Sequence, residues 1–277
     1  MPSIENAPSQ VLYSDEMVTI GHFAVTPTHP QFRLAGAITN PTIVFPRIAV
    51  EIQHLNRDPF SVDQNCISLY NKGQQYERTA LVAEGDSCDW FEFNPNALAK
   101  LPDIENHRAP FEVARVEGSI QHYLLQRKMI KSLQAASIDV NLLQAQVILL
   151  LAESLRGVRI ASAAKGYSQE QQSLVEKTRH YLALRFRENG LVEDIASAMG
   201  VSAFHLCRVF KGITSKSMHQ YRIELRLRHA LAMVESTKDL SRVALELGYS
   251  SHSHFSTSFK NVFGNTPKQV RQQLLRN

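Results

Sequence analysis

The apolar positions of the chain fall into two regimes. Between residues 30 and 95 they form short runs that alternate or cluster as strands do: Ile43-Val44-Phe45, Ile48-Ala49-Val50-Glu51-Ile52, Cys66-Ile67-Ser68-Leu69-Tyr70 and Trp90-Phe91-Glu92-Phe93. Turn-forming groups separate them: Asn40-Pro41, Arg57-Asp58-Pro59, Asn71-Lys72-Gly73 and Glu84-Gly85-Asp86. Short strands at such spacing predict a sandwich or small barrel. From Val116 the spacing becomes helical, through Ile120, Tyr123, Leu124, Met129, Ile130 and Leu133 to Ala136. A second helix is predicted from Asp139 or Asn141 through Leu143, Val147, Leu150 and Leu151 to about Leu155. These two helices need an apolar partner, either the sheet or the same helices of a second subunit. The stretch around Gly157, Ser162-Ala163-Ala164-Lys165-Gly166 and Ser168 is rich in small residues and reads as a linker.

After it no strand is expected. The span from Leu191 to Lys211 predicts a short helix with Ile195, Ala196 and Met199 inward, a stop at Gly200, and a new helix capped by Ser202 with Leu206, Val209 and Phe210 inward. The same grammar returns 48 residues on. Leu240–Leu247 form a helix with Val243 and Ala244 apolar, Gly248 ends it, and Ser250 or Ser251 caps a helix with Phe255, Phe259 and Val262 as its core face. Aligning Gly200 with Gly248 pairs Ile195 with Val243 and Ala196 with Ala244; with one residue of shift, Phe210 meets Phe259 and Lys211 meets Lys260. Helix, glycine turn and capped helix is the helix-turn-helix pattern, whose second helix enters a DNA major groove. A longer helix, about Ser217 to Glu235, joins the two units; as a rigid spacer it can hold them near the ~34 Å at which major grooves repeat on one side of a duplex. Gly264 should end the preceding helix, and Thr266-Pro267 should start the last one.

Charge agrees with this division. From Thr178 onward there are 15 Lys+Arg against 7 Asp+Glu, a balance of +8, whereas residues 1–177 hold 15 against 19, a balance of −4. A basic third beside an acidic remainder points to a polyanionic partner for that third alone. At 277 residues and 44% apolar content, two ordinary domains are expected. No apolar run approaches the roughly 18 residues of a membrane span, and Met1–Gln10 lacks the basic start and apolar core of a secretory signal, so a soluble cytosolic protein is expected. The three cysteines, Cys66, Cys88 and Cys207, form no CxxC pair, which argues against a disulfide framework or a cysteine-built zinc site. His22, His29 and His54 stand alone, and His252 and His254, two apart, do not share a helix face. Neither metal nor cofactor is therefore expected. An enzyme carrying a DNA module, such as a repair alkyltransferase, needs a metal-held nucleophilic cysteine cluster that these cysteines do not provide.

Tyr221, Arg226 and Ala230, then Val243-Ala244-Leu245-Glu246-Leu247-Gly248-Tyr249, Ser251, Ser253, Phe255, Phe259-Lys260, Phe263-Gly264, Thr266-Pro267 and Arg271 resemble the signature of the AraC/XylS family of transcription regulators, over about Thr178 to Leu274. The resemblance implies an α+β chain: a cupin-like β domain with trailing helices, then an all-α domain of two helix-turn-helix units joined by a linker helix. The expected boundaries are a sensor and dimerisation domain at 1–160 (β-rich to about 110, helical over 116–156), a linker at 161–175, and a DNA-binding domain at 176–277 with its two units at 191–212 and 239–264. It implies double-stranded DNA as partner, RNA polymerase as a further one, and a homodimer through 116–156. Control falls to a small molecule or partner acting on the N-terminal domain, or, in the other reading, to abundance, a protein partner or a Cys66–Cys88 redox switch. Phe204, Cys207, Arg208, Ser253 and Thr257 are the expected base contacts. Arg208 leads on its own chemistry, because a guanidinium fork matches both acceptors of a guanine edge. Ser202, Lys211, His252, Ser256, Lys260, Lys268 and Arg271 are the expected phosphate contacts. Tyr70, Tyr76, Trp90, Phe91 and Phe93 are candidates to line an effector pocket, with core packing as the alternative for each.

Overall fold

A computed structural model describes residues 8–55, 57–101, 104, 106–163, 166–237 and 239–275. The chain divides into two compact units, Met1–Ala163 and Ala164–Asn277.

Among the described residues the first unit contains ten strands: β1 (Ser9–Ser14), β2 (Val18–Val25), β3 (Leu34–Ala35), β4 (Thr42–Pro46), β5 (Val50–His54), β6 (Phe60–Val62), β7 (Cys66–Tyr70), β8 (Tyr76–Ala80), β9 (Asp86–Phe93) and β10 (Arg115–Glu117). Its helices are α1 (Pro95–Leu98), α2 (Ile120–Gln134) and α3 (Val140–Ala163). The strands build a six-stranded sheet in the order β1-β2-β9-β4-β7-β10 and a four-stranded sheet in the order β3-β8-β5-β6. Every pairing among the described residues is antiparallel.

Strand alternation gives the large sheet two different faces. Ile43 and Phe45 of β4, Ile67 and Leu69 of β7, and Phe91 and Phe93 of β9 form one core with Met129 and Ile130 of α2 and Val147 and Leu150 of α3. The residues between them, Val44, Ser68, Tyr70, Cys88 and Trp90, face the small sheet across a cavity. Of the two packings open to the helices, α2 and the inner side of α3 take the sheet.

Three sequence expectations change. Strands begin well before residue 30, because β1 and β2 precede it. The second helix starts where Asp139 Oδ1 accepts the Leu142 amide at 3.1 Å, but it continues past Leu155 to Ala163, so Ser162 and Ala163 are helical. Ala164 and Lys165 of the expected linker lie outside the described residues. The Cys66–Cys88 switch is also corrected. β4 runs between β7 and β9, so the two thiols are about two strand spacings, ~10 Å, apart at the backbone, beyond the ~7 Å reach of a disulfide.

The second unit is helical: α4 (Gln169–Arg185), α5 (Val192–Met199), α6 (Ala203–Thr214), α7 (Met218–Ser236), α8 (Leu240–Glu246), α9 (His252–Phe263) and α10 (Pro267–Leu275). Its spine is α7, which packs on α6, α8, α9 and α10. Tyr221, Leu225, Leu227, Ala230, Leu231 and Val234 of this helix are fully buried.

Candidate nucleic-acid interface

Two helix pairs, α5–α6 and α8–α9, are built by the same local chemistry. Gly200 follows α5 with φ +70°, and its neighbour Val201 donates its amide to Ala196 O at 3.1 Å. Gly248 follows α8 with φ +77°, and Tyr249 donates to Ala244 O at 2.9 Å. These left-handed residues turn the chain while the following amides close the helix ends, a role glycine fills without a Cβ penalty. Ser202 Oγ accepts the His205 amide at 3.2 Å and starts α6. Ser251, not Ser250, does the same for α9, accepting from His254 at 3.1 Å. The second turn is thus one residue longer than the first, which explains the one-residue slip in the repeat.

With that slip allowed, the exposed faces of the two second helices coincide. Phe204, Cys207, Arg208 and Lys211 lie on one side of α6, and Ser253, Ser256, Thr257 and Lys260 occupy the equivalent side of α9. All are exposed except Ser256, which is half-buried. Phe204 is 80% exposed, which rules it out as a core aromatic. The opposite sides hold Leu206, Val209 and Phe210 in one helix and Phe255, Phe259 and Phe263 in the other, all buried. Arg208, Lys211, Lys260 and Lys268 form no ion pair among the described residues. Their charge is therefore available to a phosphate without first breaking an internal bond. His252 Nε2 lies 3.3 Å from Ser256 Oγ, on the exposed side of α9.

Arg271 departs from the expectation of a phosphate contact. Its Nε donates to Val234 O at 2.8 Å, and its Nη2 donates to Thr237 O. The guanidinium closes the C-terminal end of α7, where helix carbonyls lack amide partners.

Sequence reasoning missed what Arg226 does. From α7 its Nε donates to Phe186 O at 2.6 Å, Nη2 to Glu188 O at 2.8 Å and Asn189 Oδ1 at 2.9 Å, and Nη1 to Gly248 O at 3.1 Å. One side chain thus ties the segment entering the first helix pair to the turn of the second. Its place in the motif marked it, but no local pattern in sequence reveals partners 22 to 40 positions away.

In the first unit the cavity between the sheets has a volume of about 320 Å³. Tyr70, Tyr76 and Trp90 line it. Phe91 and Phe93 do not; they belong to the helix-side core. Adjacent residues of one strand point to opposite faces, so Trp90 and Phe91 cannot share a pocket. Trp90 lies over Gly21, its partner in β2; a Cβ at Gly21 would sit 2.2 Å from the indole Cζ2. The sequence also gave no sign of the pair Arg78–Asp86, which joins at 2.9 Å inside the cavity, with Arg78 stacked 4.4 Å from the Phe23 ring centroid.

Two helix-turn-helix units on a common helical spine define a tandem helix-turn-helix domain, and comparison with known proteins gives the family. A family model described as "Helix-turn-helix domain" matches residues 195–273. The HTH-type transcriptional regulator ArgR of Pseudomonas aeruginosa is 38% identical over 82 residues, which are 29% of this chain and 25% of that protein. The HTH-type transcriptional activator RhaR of an Enterobacter species is 27% identical over 150 residues, 54% of this chain and 51% of that protein. A transcriptional regulator from Chromobacterium violaceum, described as AraC-type, has a solved structure that aligns at 30% identity over 39% of this chain and 98% of its own, with a TM-score of 0.36. The chain thus spans from a quarter to about half the length of these two curated relatives. Its C-terminal helix-turn-helix domain belongs to the AraC type.

Proposed function

We propose that the chain is a sequence-specific, DNA-binding transcription regulator, with α6 and α9 as its two reading helices. The observation that carries this reading is the matched pair of exposed faces, Phe204/Cys207/Arg208/Lys211 and Ser253/Ser256/Thr257/Lys260, on helices whose opposite sides are buried. Arg208 reads a guanine edge, Phe204 lies against a thymine methyl, and the unpaired lysines hold phosphates. The α9 face carries shorter side chains, so the second unit discriminates less by direct contact and more by DNA shape. Control comes through the first unit, whose cupin-like pair of sheets encloses a cavity sized for a small molecule. Two copies associate through the exposed side of α3, and RNA polymerase is the onward partner.

Footprinting of the full-length protein on genomic fragments should give protected sites whose affinity falls steeply with salt. On such a site Arg208→Ala should cost about 1–3 kcal/mol and relax the preference at one base pair. An unchanged affinity and an unchanged site preference would remove Arg208 from the reading face.

A further inference from the structure

The cavity of the first unit has apolar and aromatic walls, but two polar atoms of its lining lack hydrogen-bond partners among the described residues: Arg78 Nε and Ser68 Oγ. Both are buried; the Arg78 side chain is 4% exposed and Ser68 is 1% exposed. Arg78 uses Nη1 on Asp86 Oδ2 at 2.9 Å, which leaves the Nε edge of the fork without an acceptor. A guanidinium N–H can only donate, and a serine hydroxyl donates readily. A buried donor left unsatisfied carries the full penalty of its lost hydration. What these two groups lack is therefore an acceptor within reach.

The charges narrow the choice further. Arg78 is already balanced by Asp86, and Glu92, whose carboxylate accepts from Thr39 and Asn40, adds a second negative group to the lining. Burial pushes the Cys88 thiol and the Tyr70 hydroxyl up from their usual values and the Tyr76 hydroxyl up to about 12, so these three lining groups stay neutral. An anion entering here meets two carboxylates and one guanidinium in a poorly solvated space, which disfavours it. A cation would meet the carboxylates but leave both unpaired donors without an acceptor.

We propose that this cavity binds a neutral, largely apolar small molecule carrying a carbonyl or comparable acceptor oxygen, which Arg78 Nε holds. The inference rests on the reading of the cavity as an effector site and names the chemical class that it takes.

Three size-matched probes test it on the full-length protein: cyclohexyl methyl ketone, cyclohexanecarboxylate and 1-cyclohexylethylamine. Trp90, the only tryptophan, lines the cavity and reports occupancy by its fluorescence. At neutral pH the ketone should give a saturable change at a concentration at least about tenfold below either charged probe, a gap of about 1.4 kcal/mol. In the double variant Arg78→Met/Asp86→Leu, which removes donor and counter-charge together, the ketone should lose that advantage while circular dichroism and melting stay those of a folded unit. Equal or tighter binding of the carboxylate or the amine to the unaltered protein overturns the neutral-acceptor class and leaves the cavity as a ligand site. Undiminished ketone binding in the folded double variant overturns the role of Arg78. Should no probe give a saturable response, the effector-site reading fails, and the proposal with it.

Discussion

Gly200 and Gly248 hold equivalent places in the repeat and share a left-handed backbone, yet their surroundings differ. A Cβ at Gly200 meets no atom within 4 Å, whereas at Gly248 it would lie 2.0 Å from the carbonyl oxygen of Arg187. Gly200→Ala should therefore cost only the left-handed penalty, about 1 kcal/mol. Gly248→Ala must also displace backbone and should cost about 3 kcal/mol or more. Calorimetric melting of the two variants checks this, and equal losses would refute the packing argument. The sequence made both glycines legible as turn residues. It could not rank them, because the atom that makes one of them indispensable belongs to a segment 61 positions away. The same limit explains Phe91 and Arg78: alternation along a strand separates Phe91 from Trp90, but which face holds the cavity depends on the second sheet.

At the scale of elements, the helical half is legible in the sequence and the β half only in part. Capped helices with glycine stops are local grammar, so α5 through α10 follow from short windows of residues. β1 is an exposed edge strand with little alternation, and β3 and β10 are too short to leave a periodic trace. The end of α3 looks like a linker in sequence because of Gly157 and the small residues after it. A Cβ at Gly157 would stand 3.2 Å from Val116 Cβ. The glycine is there to let α3 cross close to β10, and a sequence cannot distinguish close approach from chain flexibility. The other side of α3 presents Leu142 at 56%, Leu149 at 52% and Ile160 at 57% exposure. Together with Ala145 and Ala152, Leu142 and Leu149 follow the alternating three-and-four spacing of a helix–helix seam. If this seam joins two copies, Leu149→Glu should convert a dimer to a monomer by light scattering. A monomeric parent protein, or a dimer that survives the substitution, would place association elsewhere or nowhere.

Across the whole molecule, acid should weaken both units. His54 is 2% exposed, accepts a hydrogen bond from Gln74 at Nδ1 and packs against the rings of Phe60 and Tyr70. Burial, with the charge of Arg57 adding to it, pushes its pKa down to about 4. In the second unit His229 stacks on Phe186 at 4.3 Å, and burial followed by the charge of Arg187 brings it down to about 3. Both imidazoles are held neutral in the fold at neutral pH and take up a proton on unfolding at pH values between their folded pKa and the ordinary imidazole value. Their contribution is fully present above about pH 6.5 and is lost progressively as pH falls toward 4 and 3. For His54 the loss amounts to about 3 kcal/mol. His54→Gln should flatten the acid limb of a stability profile of the first unit, and an unchanged slope would refute the assignment.

Of the three thiols, Cys66 and Cys88 are enclosed in the first unit, while Cys207 stands open in the middle of the α6 face proposed to read DNA. Brief treatment of the native protein with a maleimide should therefore attach a single adduct, at the one position where bulk obstructs a groove. Alkylated protein should lose its hold on DNA without losing its fold, and a bound duplex should shield the sulfur from the reagent. The chain thus carries in its own composition a chemical test of the proposed reading face.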